Sequence, residues 1–271
     1  MQADYIQRIE ISKLWGRKHI VWELQPDVNI LSGVNGIGKS TILNKVISYL
    51  EALHHRLQKD DQMGLQLTFY PPEATEISFD VVRSFDRPLL HADLVEKVGN
   101  IQIKTELDWQ IYKLQRRYLD YQVNLANRMI ALLTSTDIAD REKASTISST
   151  KTLFLDIVDE FFRETHKQIV RDANEITFLQ DGDILTPYQL SSGEKQILVI
   201  LLTVLVQDGK KGVFLMDEPE ISLHIEWQQK LISTIHKLNP HTQIILTTHS
   251  PAVIMDGWID KVTEVSDIYV P

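Results

Sequence analysis

The segment Gly33-Val34-Asn35-Gly36-Ile37-Gly38-Lys39-Ser40-Thr41 fits G-x-x-x-x-G-K-[ST]. Glycines let such a backbone curl until successive N–H groups point inward at phosphate oxygens, so Gly33, Asn35, Gly36 and Gly38 are expected to form a cradle. Lys39 is expected to bridge the β- and γ-phosphates of a nucleoside triphosphate. Ser40 is expected to offer its hydroxyl to Mg2+, and Thr41 to complete the loop where a helix begins. The positive end of that helix dipole favours the same anion. A glycine-rich turn can match by chance. Here the apolar run Val28-Asn29-Ile30-Leu31 enters the loop and Ile42-Leu43-Asn44-Lys45-Val46-Ile47 leaves it, the strand-then-helix context the pattern needs.

Three later segments carry further chemistry. Val213-Phe214-Leu215-Met216-Asp217-Glu218 is a buried strand ending in two carboxylates, at the end where open parallel sheets bind ligands. Asp217 would hold Mg2+, directly or through water, and Glu218 would orient or deprotonate an attacking water. Leu190-Ser191-Ser192-Gly193-Glu194-Lys195-Gln196 leads into a helix, and alone would read as an N-cap. Thr247-Thr248-His249-Ser250-Pro251 ends another apolar strand, where a lone histidine is more often a surface group.

In this order and spacing the four segments resemble those of ABC-type ATPases. The second is similar to the signature usually written L-S-G-G-Q or L-S-G-G-E, with Ser192 where the first glycine usually stands. The resemblance implies that Ser191, Gly193 and Glu194 cap the γ-phosphate held by the opposite subunit, giving a head-to-tail homodimer with ATP sandwiched between subunits. It implies that His249 is a switch histidine contacting the γ-phosphate. His224, in Glu220-Ile221-Ser222-Leu223-His224, stands where an aspartate is usual, so a dimer-contact role carries over weakly. The pattern Asp-Glu-Pro-Glu-Ile-Ser-Leu-His before Trp227-Gln228 is similar to the soluble OLD-like and RecF-like branch, found in DNA repair and phage defence. OLD proteins continue into a TOPRIM nuclease domain. This chain stops at Pro271, so the resemblance implies a separate effector polypeptide such as a nuclease. The resemblance to ABC-type ATPases also implies a glutamine, in a loop between the sheet and the helical lobe, contacting magnesium and water, for which Gln66 and Gln102 both stand open.

The elements that must position these groups follow from periodicity. Tyr5 to Ile11 and His19 to Leu24 read as an antiparallel hairpin turning at Leu14-Trp15-Gly16-Arg17-Lys18. Ser40 to about Leu57 reads as a helix; Leu65 to Tyr70 and Ile77 to Val82 read as strands across Pro71-Pro72. From 91 to 167 the pattern turns helical, with one helix over Lys104 to Leu133, about 45 Å long. A Ser/Thr/Asp-rich loop is expected over Thr134 to Thr150, and a second helix over Lys151 to Lys167 with Leu153, Phe154, Ile157, Val158, Phe161 and Phe162 inward. Ile176 to Leu179, Val213 to Met216 and Ile244 to Thr247 read as strands alternating with helices over Ser192 to Val206 and Leu223 to Leu238, which predicts a mainly parallel sheet. The expected fold is α/β: one ABC-type P-loop domain over 1–271, with an antiparallel N-terminal β subdomain and an inserted helical lobe over 91–167.

Composition narrows the partners. A 271-residue chain with 43% hydrophobic residues can bury a full core, and no apolar run is long enough to span a membrane. The absence of cysteine excludes disulfides, a zinc hook and thiolate-held metals. With no signal-like start, a cytoplasmic location is expected. A net charge of −9 argues against a broadly basic face for DNA. Arg8, Lys13, Arg17, Lys18 and His19 on the hairpin, and Arg116-Arg117 on the long helix, keep a DNA-binding clamp as the alternative. A transporter subunit is less expected, since nothing suggests a membrane-coupling surface.

Overall fold

The computed structural model describes residues 1–55, 64–84 and 103–270. The expected end of the first helix at 57, the start of the helical insert at 91 and Gln102 lie outside them. The chain divides into two compact units: Met1–Ser84, Gly209–His236 and Pro240–Pro271 form one, and Phe85–Asp208 with Lys237–Asn239 the other.

The first unit holds two sheets. β3 (Val28–Ser32), β5 (Phe79–Arg83), β9 (Gly212–Asp217), β10 (Thr242–Thr247) and β11 (Val262–Glu264) form a parallel sheet in the order β11-β3-β10-β9-β5. Every residue of β9 and β10 is buried, which is why both strands are continuous rather than alternating in polarity. β1 (Tyr5–Leu14), β2 (Lys18–Glu23), β4 (Leu65–Tyr70) and β12 (Tyr269–Val270) form an antiparallel sheet in the order β12-β2-β1-β4. Ile6, Ile9 and Ile11 of β1 share one core with Ile42, Leu43, Val46, Ile47 and Leu50 of α1 (Lys39–His54) and with Leu215 and Ile245 of the parallel sheet. Gln243, fully buried in β10, joins the two sheets. Its amide donates to the carbonyls of Ile6 (2.8 Å) and Gln25 (2.7 Å) and accepts from the Ile6 N–H at 2.8 Å. Such a group is tolerated in a core only when paired this fully.

The second unit is mainly helical. α2 (Glu106–Thr134) begins at a capping box of Thr105 and Asp108 and buries Leu107, Ile111, Leu114, Tyr118, Tyr121 and Leu125, close to the expected helix over Lys104 to Leu133. Its apolar face packs on α5 (Ser192–Val206), which is buried from Glu194 to Leu205, and α4 (Ser149–Phe161) packs on α5 as well.

Several local expectations differ from the structure. The stretch Thr134–Thr150 contains a short helix, α3 (Ile138–Ala144), started by the Asp137 side chain accepting from the Ala139 N–H. In α4, Leu155 is buried and Leu153 only partly. The strand expected at Ile176–Leu179 belongs to no parallel sheet. β7 (Phe178–Gln180) pairs antiparallel with β6 (Gln168–Ile169) and β8 (Asp183–Leu185) inside the second unit. The reason is local: Asp181 (φ 52°) and Gly182 (φ 95°) are both left-handed and close a two-residue hairpin.

Candidate functional site

In the first unit the phosphate loop lies between β3 and α1. Gly33, Gly36 and Gly38 take φ of 146°, 81° and 110°, a backbone only glycine adopts without strain. Asn35 and Gly36 are exposed, and Ser40 and Thr41 are partly buried on the first turn of α1. Lys39 is 4% exposed; its Nζ donates to the Gly33 carbonyl at 2.8 Å and the Val34 carbonyl at 3.4 Å. The loop is therefore curled around its own ammonium. The ring of Trp15, from the β1–β2 turn, covers Gly38: a Cβ there would lie 2.3 Å from it.

The carboxylates stand at the C-terminal end of β9. Asp217 is buried and accepts from Thr247 Oγ1 at 2.6 Å. Glu218 leaves the strand at φ 47°, with its N–H held by the carbonyl and the hydroxyl of Thr247, both at 3.1 Å. Strained φ values of this kind cluster at functional sites. Glu218 Oε1 lies 4.0 Å from Lys39 Nζ and 3.5 Å from His249 Nδ1. Because β3, β10 and β9 are adjacent and parallel, their C-terminal ends gather Lys39, His249, Asp217 and Glu218, four groups the sequence spreads over more than 200 residues. The Ser40 hydroxyl and the Asp217 carboxylate are the hard oxygen donors Mg2+ takes alongside phosphate oxygens. Among the described residues no cluster of three or more His, Asp or Glu gathers to hold a metal alone. Gln66 is exposed in the middle of β4, paired with Glu10 in the antiparallel sheet.

Sequence reasoning misses Trp15, Thr247, Thr248 and Glu220 as site residues. The signal available for the last three is their place inside motifs that other residues define.

The signature segment belongs to the second unit. Ser191 and Ser192 are exposed and Gly193 is partly so. Ser191 is the N-cap of α5, accepting from the Glu194 N–H. Glu194 itself is 2% exposed and turned inward. It accepts from the Ser191 N–H (2.9 Å), Ser191 Oγ (2.8 Å), Thr165 Oγ1 (2.8 Å) and Lys167 Nζ (2.8 Å). Next to it, Lys195 Nζ lies 2.8 Å from Asp108 Oδ1 at the start of α2. The Glu194 carboxylate fixes the turn that presents Ser191.

Burial alone would raise the Glu194 carboxyl, but Lys167, the Ser191 N–H, Thr165 and the Ser191 hydroxyl together hold it below its usual value. A depressed carboxyl stabilises the fold above its unfolded-state value, and that contribution is lost as pH falls through the folded one. Glu194→Ala removes a buried carboxylate, leaves the half-buried Lys167 without its counter-charge and is expected to cost about 3 kcal/mol. Urea denaturation at neutral pH checks this; a loss below about 1 kcal/mol, the range of exposed pairs, would contradict it.

The family model described as "AAA domain, putative AbiEii toxin, Type IV TA system" matches residues 106–256, more than half of the chain. Septu protein PtuA of Bacillus thuringiensis is 23% identical over 328 aligned residues, which cover 98% of this chain and 78% of that protein. The Retron Vc95 probable ATPase of Vibrio cholerae serotype O1 biovar El Tor is 24% identical over 136 residues, 42% of this chain and 26% of that protein. The fold is similar to that of an Smc head crystallised with the C-winged helix domain of ScpA, at a TM-score of 0.51 and 12% identity over 93% of this chain and 91% of that one.

Proposed function

This chain belongs to the AAA-domain family whose model it matches and is an ATPase, and we propose that it works as a nucleotide-driven homodimeric clamp of the OLD-like and RecF-like kind. One observation carries the reading: at the C-terminal edge of the parallel sheet Glu218 stands between Lys39, at 4.0 Å, and His249, at 3.5 Å. In this mechanism Gly33, Asn35, Gly36, Gly38, Lys39 and Thr41 hold the phosphates of ATP. Ser40 and Asp217 would hold Mg2+, which when bound neutralises charge on the β- and γ-phosphates. Glu218 orients and deprotonates water, and His249 faces the γ-phosphate. Ser191 and Gly193 of the partner subunit close over it. ATP touches both subunits and ADP does not, so the nucleotide state sets the balance of closed and open dimers.

Mixing tests the shared site. Lys39→Ala and Ser191→Arg are each expected to be inactive, the second at a capping cost of about 1 kcal/mol. Mixed one to one, they regain turnover, since each mixed dimer carries one intact site. Mixtures as inactive as their components would reject the shared site.

Likeness to Septu PtuA and to a retron ATPase supports a place in phage defence, in the cytoplasm, with a separate effector polypeptide such as a nuclease. Among the described residues no helix is long and apolar enough to cross a membrane. The DNA-clamp alternative loses support at the hairpin. Arg8 is paired with Glu10 at 2.8 Å and Glu23 at 3.3 Å, His19 lies 3.0 Å from Glu10, and Lys18 covers the rings of Trp15 and Tyr269.

A further inference from the structure

Glu220 is a carboxylate the mechanism above does not use. It is 4% exposed, in the segment that follows β9. Its Oε1 accepts from Thr248 Oγ1 at 2.5 Å and from the His249 N–H at 3.2 Å, and lies 3.6 Å from His249 Nδ1. Its Oε2 is buried with no hydrogen-bond partner among the described residues. A carboxylate is costly to bury, more so with one oxygen unpaired, so its placement here calls for an explanation. The surrounding segment is tied down. Gln228 Nε2 donates to the Leu223 carbonyl at 2.9 Å, and Ser250 Oγ donates to Gln228 Oε1 at 2.6 Å. The turn after β9 and the turn after β10 are thus bonded on both sides of His249. One ring nitrogen of His249, Nδ1, faces two carboxylates, the partly exposed Glu218 at 3.5 Å and the buried Glu220 at 3.6 Å.

We infer that Glu220 is a positioning residue for His249. It fixes the backbone of His249 directly and through Thr248, and places its Oε1 beside Nδ1. With Nδ1 held on the side of the two carboxylates, Nε2 is the ring nitrogen left for the γ-phosphate. The inference rests on the proposed role of His249 at the γ-phosphate.

The test uses the full chain with Glu220→Ala, Glu220→Gln, His249→Ala and the Glu220→Ala/His249→Ala double variant. ATP turnover is measured, together with ATP and ADP affinities by displacement of a fluorescent nucleotide. Glu220→Ala is expected to lower kcat by about 10²-fold, the scale of misplacing one reacting group by an ångström. It is also expected to narrow the preference for ATP over ADP and leave ADP affinity unchanged. Glu220→Gln keeps an oxygen acceptor for Thr248 and the His249 N–H, and restores most of the turnover. In the His249→Ala background Glu220→Ala costs nothing further, because the two residues act as one unit. If Glu220→Ala folds poorly, Thr248→Val removes the anchoring hydroxyl and is expected to show the same dependence on His249. An equal loss with and without His249 would make Glu220 a general structural residue and overturn the inference alone. His249→Ala with parental turnover would overturn the role of His249 and the inference with it.

Discussion

Glu218→Gln lowers kcat by about 10²–10⁴-fold and leaves ATP affinity nearly unchanged, the loss expected when a general base disappears and its shape stays. The geometry favours this separation. The Glu218 backbone is anchored by two contacts to Thr247 that do not involve its side chain, so an isosteric amide keeps its place. What changes is basicity. The carboxylate 4.0 Å from Lys39 Nζ and 3.5 Å from His249 is 16% exposed and can face a water. Glu220 is a poor substitute, since it is buried and its Oε1 is committed to Thr248 and the His249 N–H. The variant also binds ATP without consuming it, so size-exclusion chromatography with light scattering is expected to show an ATP-dependent dimer. Turnover within about five-fold of the parent, well short of a lost base, would place the base elsewhere. A monomer in ATP would refute the sandwiched dimer.

Much of this site is legible in the amino-acid sequence, for a physical reason. A phosphate cradle needs glycines at fixed offsets and a lysine at the helix start, and a buried strand ending in carboxylates needs an unbroken apolar run. Both are local patterns, so Gly33 to Thr41 and Val213 to Glu218 announce themselves. The supporting contacts are non-local. Thr247 bonds Asp217 across adjacent parallel strands, and Trp15 covers Gly38 from a hairpin in another sheet. Neither residue type is distinctive at its position. Gln243 is similar: a polar residue inside an apolar strand gives no warning that its amide joins two sheets. The short parallel strand β11 and the hairpin of β7 and β8 also escape, since strands of three residues carry almost no periodicity. Glu194 shows the opposite case. Its motif is recognisable, but only burial reveals that its carboxylate points away from the surface that Ser191 presents.

Lys39→Ala is the change with the largest expected effect on binding. The ammonium is 4% exposed and held by the loop's own carbonyls at 2.8 and 3.4 Å, so the loop keeps it poised where phosphates are expected. Charge-assisted hydrogen bonds to such oxygens contribute about 1.5–3 kcal/mol each. Loss of contacts to both the β- and γ-phosphates therefore predicts a rise in the ATP Kd of about 10²–10⁴-fold. The loss of affinity exceeds that in Glu218→Gln because Lys39 acts on the bound nucleotide itself, not only on its conversion. The fold is expected to tolerate the change, since α1 keeps Ile42, Leu43, Val46, Ile47 and Leu50 in the core and alanine is a good helix former. Titration with a fluorescent ATP analogue, alongside a thermal melt to confirm folding, checks both parts. A folded Lys39→Ala that binds ATP within about three-fold of the parent would mean that the lysine contributes less than a single hydrogen bond, and the loop would then not be the phosphate site.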